Sequence, residues 1–349
     1  MQDETSASGP AYARRETASA ASVARAAGVS AAAVSYVMNG KTGVSSETRA
    51  HILSVATQLG YGRDLSTMTP FHRTRVIGLV FPNIINPMFP RWGQGVITAA
   101  AAAGYEVYLA NTQDEPEVLG NVTESLASHK VDGVIVAAAL RKDATALRTL
   151  RTSQIPFVYL SRRSTFVDGD FVGIDDHAAA AELMRHVLAH GYTEIATVVG
   201  PRFSTASLGR EQGFVQAAAE AGVEITGQRK ISTHLNADGG RRAAAKLLTG
   251  ETPPRAIVCG SDEIAIGVME YAVDHGIHVP EDVAVTGFDG LPHSMSGLIR
   301  MTTIVQPQME MAAEAFAMLL KRMHTPSKTY QALLCAHRLH VGRTCGCSA

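Results

Sequence analysis

Ser22-Val23-Ala24-Arg25-Ala26-Ala27-Gly28-Val29-Ser30, continuing Ala31-Ala32-Ala33-Val34-Ser35-Tyr36-Val37-Met38-Asn39-Gly40, is the stretch on which the reading of this chain turns. Ser22 is placed to cap a short helix, and Gly28 stands where the chain must turn. Ser30 is placed to cap a second helix, Ala31 to Asn39. Val34, Val37 and Met38 fall on one face of it, with Val29 just ahead, and Ala31, Ala32, Ser35, Tyr36 and Asn39 fall on the other. Two short helices joined by a three- or four-residue turn containing Gly predict a helix-turn-helix. A third helix is predicted from Ser45-Ser46-Glu47: either serine can cap, and Glu47 suits the positive end of the helix dipole. Ile52, Leu53, Ala56 and Leu59 form its apolar stripe, and Gly60-Tyr61 stops it. So small a core suits a module that presents one helix to a groove.

Charge supports a polyanion partner for this end of the chain. From Thr17 to Arg75 six cations (Arg25, Lys41, Arg49, Arg63, Arg73, Arg75) stand against Glu47 and Asp64, a net +4, whereas the remainder from Val76 is net −4. The chain has 349 residues, 46% hydrophobic and 18% charged, enough for two or three units with a substantial core. Residues 1–16 are polar, are expected to be a disordered tail and are not expected to be a secretory signal. No apolar run predicts a membrane span. Of the four cysteines, Cys259, Cys335, Cys345 and Cys347, none has partners at metal-ligand spacing along the chain. Free thiols in a reducing cytosol are expected, with redox activity at Cys345 and Cys347 as the alternative.

Ala24-Arg25-Ala26-Ala27-Gly28-Val29-Ser30, Val34 to Gly40, Val44-Ser45, Thr48-Arg49 and Leu59-Gly60-Tyr61 together closely resemble the headpiece of the LacI/GalR repressor family. The resemblance implies that the second helix enters the DNA major groove, with Ala31, Ala32 and Tyr36 facing bases. It implies phosphate contacts from Ser19, Ser30, Ser35, Asn39, Val44, Ser45 and Thr48, residues whose alternative role is capping and solvent exposure. Many relatives carry Arg where Tyr36 stands, and Tyr36 offers one hydroxyl and its ring rather than a bidentate guanine contact. Ala31 and Ala32 can touch thymine methyls but donate nothing. In the family, residues 63–75 match a hinge that forms a short helix on DNA and wedges a leucine pair into the minor groove. Pro70 holds that leucine's position here and lacks a backbone donor; Met68 or Phe71 is the candidate substitute wedge.

From Arg75 onward apolar strand-like runs alternate with helical ones. Val76 to Pro82, Tyr105 to Asn111, Asp132 to Val136 and Pro156 to Leu160 form one series; Glu194 to Gly200, Ala256 to Ser261 and Val283 to Phe288 form another. Repeated βα units predict two doubly wound parallel-sheet lobes with a ligand between the strands' carboxyl ends. This part resembles the same family, whose core shares the fold of periplasmic binding proteins, through Asn86-Pro87-Met88-Phe89, Val131-Asp132-Gly133, Val172 to Asp175, Ser261-Asp262, Val279 to Val283, Gly287-Phe288-Asp289 and Thr302 to Pro307. The expected layout is an all-α headpiece at 17–62, a linker at 63–75 and an α/β effector and dimerisation domain at 76–345. Crossings between lobes are expected near Asp175, Val305 and Pro326, giving an N-lobe of 76–174 and 306–325 and a C-lobe of 175–305 and 326–345.

The same resemblance nominates effector-binding residues. Asp289 matches an acidic position that accepts a sugar hydroxyl, its alternative being to cap a turn with Gly290. Ser261 stands where relatives often have Asn, beside Asp262. Ser204 to Arg210 matches a pocket loop in which Leu208 replaces a frequent Arg, the natural clamp for hydroxyls or anions, while Arg210 matches a position that more often supports the fold. Asn86, Phe89 and Trp92 follow the first strand; Trp92, the sole tryptophan, suits stacking on a sugar face, with packing as the alternative. Ala206 and Gln306 complete the set. The expected protein is a cytoplasmic homodimeric regulator, most readily a repressor. It would bind a pseudo-palindromic stretch of double-stranded operator DNA under control of a sugar or other small metabolite, without cofactor or metal. A periplasmic-type solute-binding protein is the first rival. An α/β enzyme is the second, disfavoured because no nucleophile turn, phosphate-cradling loop, dinucleotide fingerprint at Gly200-Pro201-Arg202 or metal-spaced cluster is present.

Overall fold

The computed structural model describes residues 19–38, 43–59, 74–325 and 329–347, without the side chains of Ser46 and Thr57. Asn39, Met68, Pro70, Phe71, Pro326 and residues 1–16 therefore lie outside the described residues. The chain divides between His72 and Arg73 into two compact units.

The smaller unit holds α1 (Ala20–Ala26), α2 (Ala31–Met38) and α3 (Ser46–Gln58). The first two turn through 113°, within the helix-turn-helix range, and Gly28 makes the turn at φ 63°, where a residue with Cβ pays a conformational cost. Ser19 rather than Ser22 caps α1. Ser19 Oγ accepts from the Ser22 amide at 3.2 Å and Ser22 Oγ accepts from the Ser19 amide at 2.8 Å, a reciprocal box that needs both serines. Starting the helix earlier also enrols Ala20 and Ala21, the best helix formers. Ser30 Oγ accepts from the Ala33 amide at 3.1 Å, and Ser45 Oγ from the Thr48 amide at 3.2 Å, so the second and third caps fall where the serines predict. Val23, Ala24, Ala27, Val34, Val37, Ile52 and Ala56 form the core. Leu59 does not join it and is 42% exposed; a core this small does not reach the last turn of α3, and Leu53 and Val55 pack at its edge instead.

The larger unit opens with an N-lobe series: β1 (Val76–Phe81), α4 (Met88–Ala102), β2 (Glu106–Asn111), α5 (Pro116–Ser128), β3 (Gly133–Val136), α6 (Thr145–Thr152), β4 (Phe157–Leu160) and β5 (Asp170–Gly173). The C-lobe series follows: α7 (Asp176–Leu188), β6 (Ile195–Val199), α8 (Thr205–Glu220), β7 (Lys230–Ser232), α9 (Ala237–Leu248), β8 (Ala256–Cys259), α10 (Asp262–Asp274), β9 (Ala284–Asp289) and β10 (Thr302–Val305). Then α11 (Gln308–His324), β11 (Ala332–Leu334) and β12 (Arg338–His340) complete the chain. The two sheets run β11-β5-β4-β3-β1-β2 and β12-β10-β9-β8-β6-β7, parallel except for the β10–β12 pair.

The continuous apolar runs are explained by burial on both faces. In β1, Ile77, Leu79 and Phe81 face one core cluster while Val80 faces another; in β8, Ala256 and Val258 face one while Ile257 and Cys259 face another. Truncating such a residue, for example Leu79→Ala, costs about 2–5 kcal/mol. No single helix among the described residues is long and apolar enough to cross a membrane.

The first two crossings lie at Ile174–Asp175 and at Gln306, between β10 and α11. The third departs from expectation. β11 still belongs to the N-lobe sheet, pairing Ala332 with Phe171 and Leu334 with Gly173, so the chain crosses at Cys335–His337 rather than near Pro326. In each sheet the strand order reverses at one place: β1 sits between β2 and β3, and β6 between β7 and β8. Loops leaving the carboxyl ends of β1 and β6 therefore diverge from a topological switch point, where open α/β sheets bind ligands.

Candidate nucleic-acid interface and ligand cleft

The α2 helix is two-faced. Val34 and Val37 are buried at 0% and 3%, while Ala31, Ala32, Ser35 and Tyr36 face solvent and Tyr36 is 45% exposed. The Tyr36 ring lies beside Gly43, whose φ of 122° is a conformation that side-chain-bearing residues rarely adopt. Ser19, Ser30 and Ser45 are exposed and already serve as caps, and Ser45 also donates to Thr48 Oγ1 at 2.8 Å. Capping and phosphate contact are compatible, because both use the end of a helix where backbone amides are unpaired. Val44 packs its side chain against the headpiece core, so only its backbone is available to a phosphate.

Between the lobes of the larger unit lies an open cleft of about 1440 Å³, narrowing to an inner recess of about 30 Å³, roughly one water. The lobes are stitched across it. Asn86 Nδ2 donates to the Leu235 carbonyl at 2.9 Å, the Arg141 amide to the Phe203 carbonyl at 2.8 Å, and the Arg163 amide to Thr205 Oγ1 at 3.1 Å.

Of the ten candidate effector residues, Asn86, Phe89, Trp92, Ser204, Ala206, Asp289 and Gln306 line the recess. Three do not. Leu208 lies off its lining; Ser261 caps α10 through the Ile264 amide at 3.2 Å; and Asp262, fully buried, accepts from the Leu291 amide at 2.7 Å and Thr303 Oγ1 at 2.6 Å. The first turn of α10 faces the lobe interior, which consumes both polar groups in structural bonds.

Arg210 is the lining residue that sequence reading assigned to the fold. Its Nε donates to Asp176 Oδ1 at 2.8 Å, its Nη1 to the Gly260 carbonyl at 2.7 Å and to Asp289 Oδ1 at 3.3 Å, and its guanidinium covers the Phe288 ring at 3.9 Å. Asp289 Oδ1 also accepts from Gln306 Nε2 at 2.7 Å, and its carbonyl from Gln308 Nε2 at 2.6 Å. Asp289 does not cap a turn with Gly290: its φ of 131° is a strained backbone, and its carboxylate goes to Arg210 and Gln306 instead. Two buried carboxylates share one guanidinium. Burial pushes Asp176 upward against the pull of Arg210, and pushes Asp289 up to about 8, again with Arg210 opposing.

Two further groups at the recess are buried without a protein partner: the Trp92 indole Nε1 and Gln306 Oε1. Trp92 stands edge-on to Phe89, ring centroids 5.5 Å apart. Met88, Ser161, Arg162, Ser207 and Leu235 complete the wall.

Residues 21–64 match the description "Bacterial regulatory proteins, lacI family", and residues 184–345 match "Periplasmic binding protein-like domain". The HTH-type transcriptional regulator DegA of Bacillus subtilis is 32% identical over 295 residues, covering 84% of this chain and 87% of that one. The chain belongs to the LacI family. It is a DNA-binding transcriptional regulator, and its relatives are regulators, not enzymes. Among other LacI-family proteins, the HTH-type transcriptional repressor PurR of Glaesserella parasuis is 28% identical over 304 residues, covering 86% of this chain and 88% of that one. The solved transcriptional regulator CelR–cellobiose complex superposes with a TM-score of 0.72 at 26% identity, covering 94% of this chain and 99% of that one.

Proposed function

We propose that this LacI-family regulator is a repressor that binds a pseudo-palindromic operator as a homodimer, and that a small hydroxyl-bearing metabolite in the inter-lobe cleft sets its DNA affinity. The observation that carries the reading is the recess itself. Trp92 Nε1 and Gln306 Oε1 are one donor and one acceptor with no protein partner, set beside the Asp289–Arg210 pair. Unpaired buried polar groups are costly, and a ligand bearing hydroxyls satisfies a donor and an acceptor at once. A relative solved with cellobiose makes sugars the first class to test. An occupant larger than one water requires the lobes to part, breaking the bonds at Asn86, Arg141 and Arg163, and lobe rotation of this kind is the lever on DNA binding. Such coupling typically amounts to about 1–3 kcal/mol. Dimerisation is supported by the apolar side chains of Ile97 on α4 and of Tyr108 and Leu109 on β2, which are 40–49% exposed on one edge of the N-lobe. By the same reading Ala31, Ala32 and Tyr36 meet bases, Ser19, Ser30, Ser35, Asn39, Val44, Ser45 and Thr48 meet phosphates, and the protein works in the cytoplasm.

Fluorescence anisotropy on duplexes from the regulator's own promoter, across a salt series with and without cellobiose and monosaccharides, tests the proposal. Affinity for one duplex well above that for random DNA, falling steeply with salt and shifting roughly 5–150-fold with one sugar, is the expected result. Equal affinity for specific and random duplex, or no response to any hydroxylated metabolite, overturns it.

A further inference from the structure

A second cluster of reactive side chains lies in the C-lobe and takes no part in the recess. His186 stands in the last turn of α7, and His190 just beyond it in the turn closed by Gly191, whose amide donates to the Leu188 carbonyl at 2.9 Å. Four residues apart, their rings share one side of the helix end, with centroids 5.2 Å apart. Cys345 and Cys347 come from the far end of the sequence, and their sulfurs meet these rings. His186 Nε2 is 3.3 Å from Cys345 Sγ and 3.7 Å from Cys347 Sγ, and His190 Nε2 is 3.3 Å from Cys347 Sγ. All four ligand atoms lie within 4.8 Å of one another. No metal-ligand spacing along the chain marks this group, because its histidine and cysteine partners are 157 to 161 positions apart in sequence and adjacent in space.

The geometry points to a tetrahedral site for one Zn²⁺ ion, bound by His186, His190, Cys345 and Cys347. With Zn–N of about 2.0–2.1 Å and Zn–S of about 2.3 Å, a tetrahedron has N···S edges of about 3.5 Å, and the three separations above bracket that figure. Two thiolates and two imidazoles suit Zn²⁺ over hard cations. Binding releases one proton from each thiol, so two thiolates and the dication leave a neutral unit, acceptable where Cys345 is fully buried. The reaction needs no oxidant.

The cysteine arm is held in place for this work. Gly346 takes φ 99°, and a Cβ there would sit 2.9 Å from the Tyr192 hydroxyl, so only glycine lets Cys345 and Cys347 present both sulfurs to the same rings. Tyr192 Oη donates to the Cys345 carbonyl at 3.3 Å, Thr302 Oγ1 to Cys345 Sγ at 3.0 Å, and the Val285 amide to the Thr344 carbonyl at 2.8 Å. Hydrogen bonds to a ligating sulfur are the outer-shell support that metal sites use. The ion would clasp the segment after β12 to the end of α7.

The test uses the full chain, purified under reducing conditions and stripped with a chelator. Native mass spectrometry with added Zn²⁺ is expected to show one ion per chain at a mass gain of zinc less two protons, with a rise in melting temperature. Co²⁺ is expected to give the intense visible bands of a tetrahedral thiolate complex. Cys347→Ser and His190→Ala change residues that are not fully buried and are expected to keep the circular dichroism of the parent while losing the stoichiometric ion and the cobalt bands. Metal uptake unchanged in both variants, or binding only at millimolar Zn²⁺ with no thiolate-to-cobalt absorption, overturns the proposal. So does a Cys345–Cys347 disulfide that persists under reductant.

Discussion

Replacing Arg210 with Met isolates the energetics of the recess. The substitution keeps an unbranched apolar side chain at this position and deletes the guanidinium that covers Phe288 and whose charge is shared by Asp176 and Asp289. Removing one partner of a buried ion pair costs about 3–5 kcal/mol, and at roughly 2–4 °C per kcal/mol for a domain somewhat smaller than this one the melting temperature falls by about 6–20 °C at pH 8. The pH dependence makes the reasoning refutable. In the parent protein Asp289 titrates near 8, against about 3.9 when unfolded. The folded state thus holds this proton more tightly. The resulting stability is fully present below about pH 4 and is lost as pH rises through 8, at up to about 1.4 kcal/mol per pH unit. Without the guanidinium both carboxyls rise further, so Arg210→Met loses stability more steeply with pH and its deficit against the parent shrinks as pH falls below 8. Differential scanning calorimetry from pH 5 to 9 measures this, and adding Asp289→Asn to Arg210→Met is expected to recover part of the loss at pH 8. An equal deficit at pH 5 and pH 8, or no recovery in the double variant, refutes the shared-charge account.

Tyr36→Ala is expected to weaken binding to the specific duplex by about 1–3 kcal/mol and relax preference at one base position; equal weakening on random duplex makes Tyr36 a backbone contact. Trp92→Phe removes the unpartnered indole N–H while retaining an aromatic ring, so the lost packing and the relieved desolvation oppose each other. Stability of the free protein is expected to change by less than about 1 kcal/mol, whereas the rise in melting temperature produced by an active sugar shrinks; an undiminished rise shows that the N–H does not meet the ligand.

Long elements with both faces buried were the legible part of the fold, because strands such as β1 and β8 carry their burial as an unbroken apolar run. Short edge strands carry no such mark: β11 and β12 have three residues each, partly exposed, and that is why the third crossing was misplaced. At the α1 cap, two serines three positions apart satisfy the same pattern, and only the reciprocal bonds tell which one begins the helix. In the recess the residues missed follow from helical phase. Once α8 starts at Thr205 with Ser204 as cap, Ala206, Ser207 and Arg210 share one face at spacings of one, three and four, and Leu208 points elsewhere. Position by position, resemblance favoured Leu208; the period of the helix favours Arg210. The His–Cys cluster was hidden for another reason, since each half is two residues at ordinary spacing and only the closing of the C-lobe brings them together.

Arg210 and Asp289 also have neighbours of a particular kind. Asp176 is the first helical residue after the chain passes from the N-lobe to the C-lobe, and Gln306 is the residue at which it passes back. The groups in the recess are therefore bonded directly to two of the three chain segments that join the lobes. On the proposed function, a guest that takes Asp289 or Gln306 as its partner would pull on that junction itself, one bond away. The signal would then need no relay of side chains through either lobe, and substitutions far from the junction would alter stability while leaving the response intact.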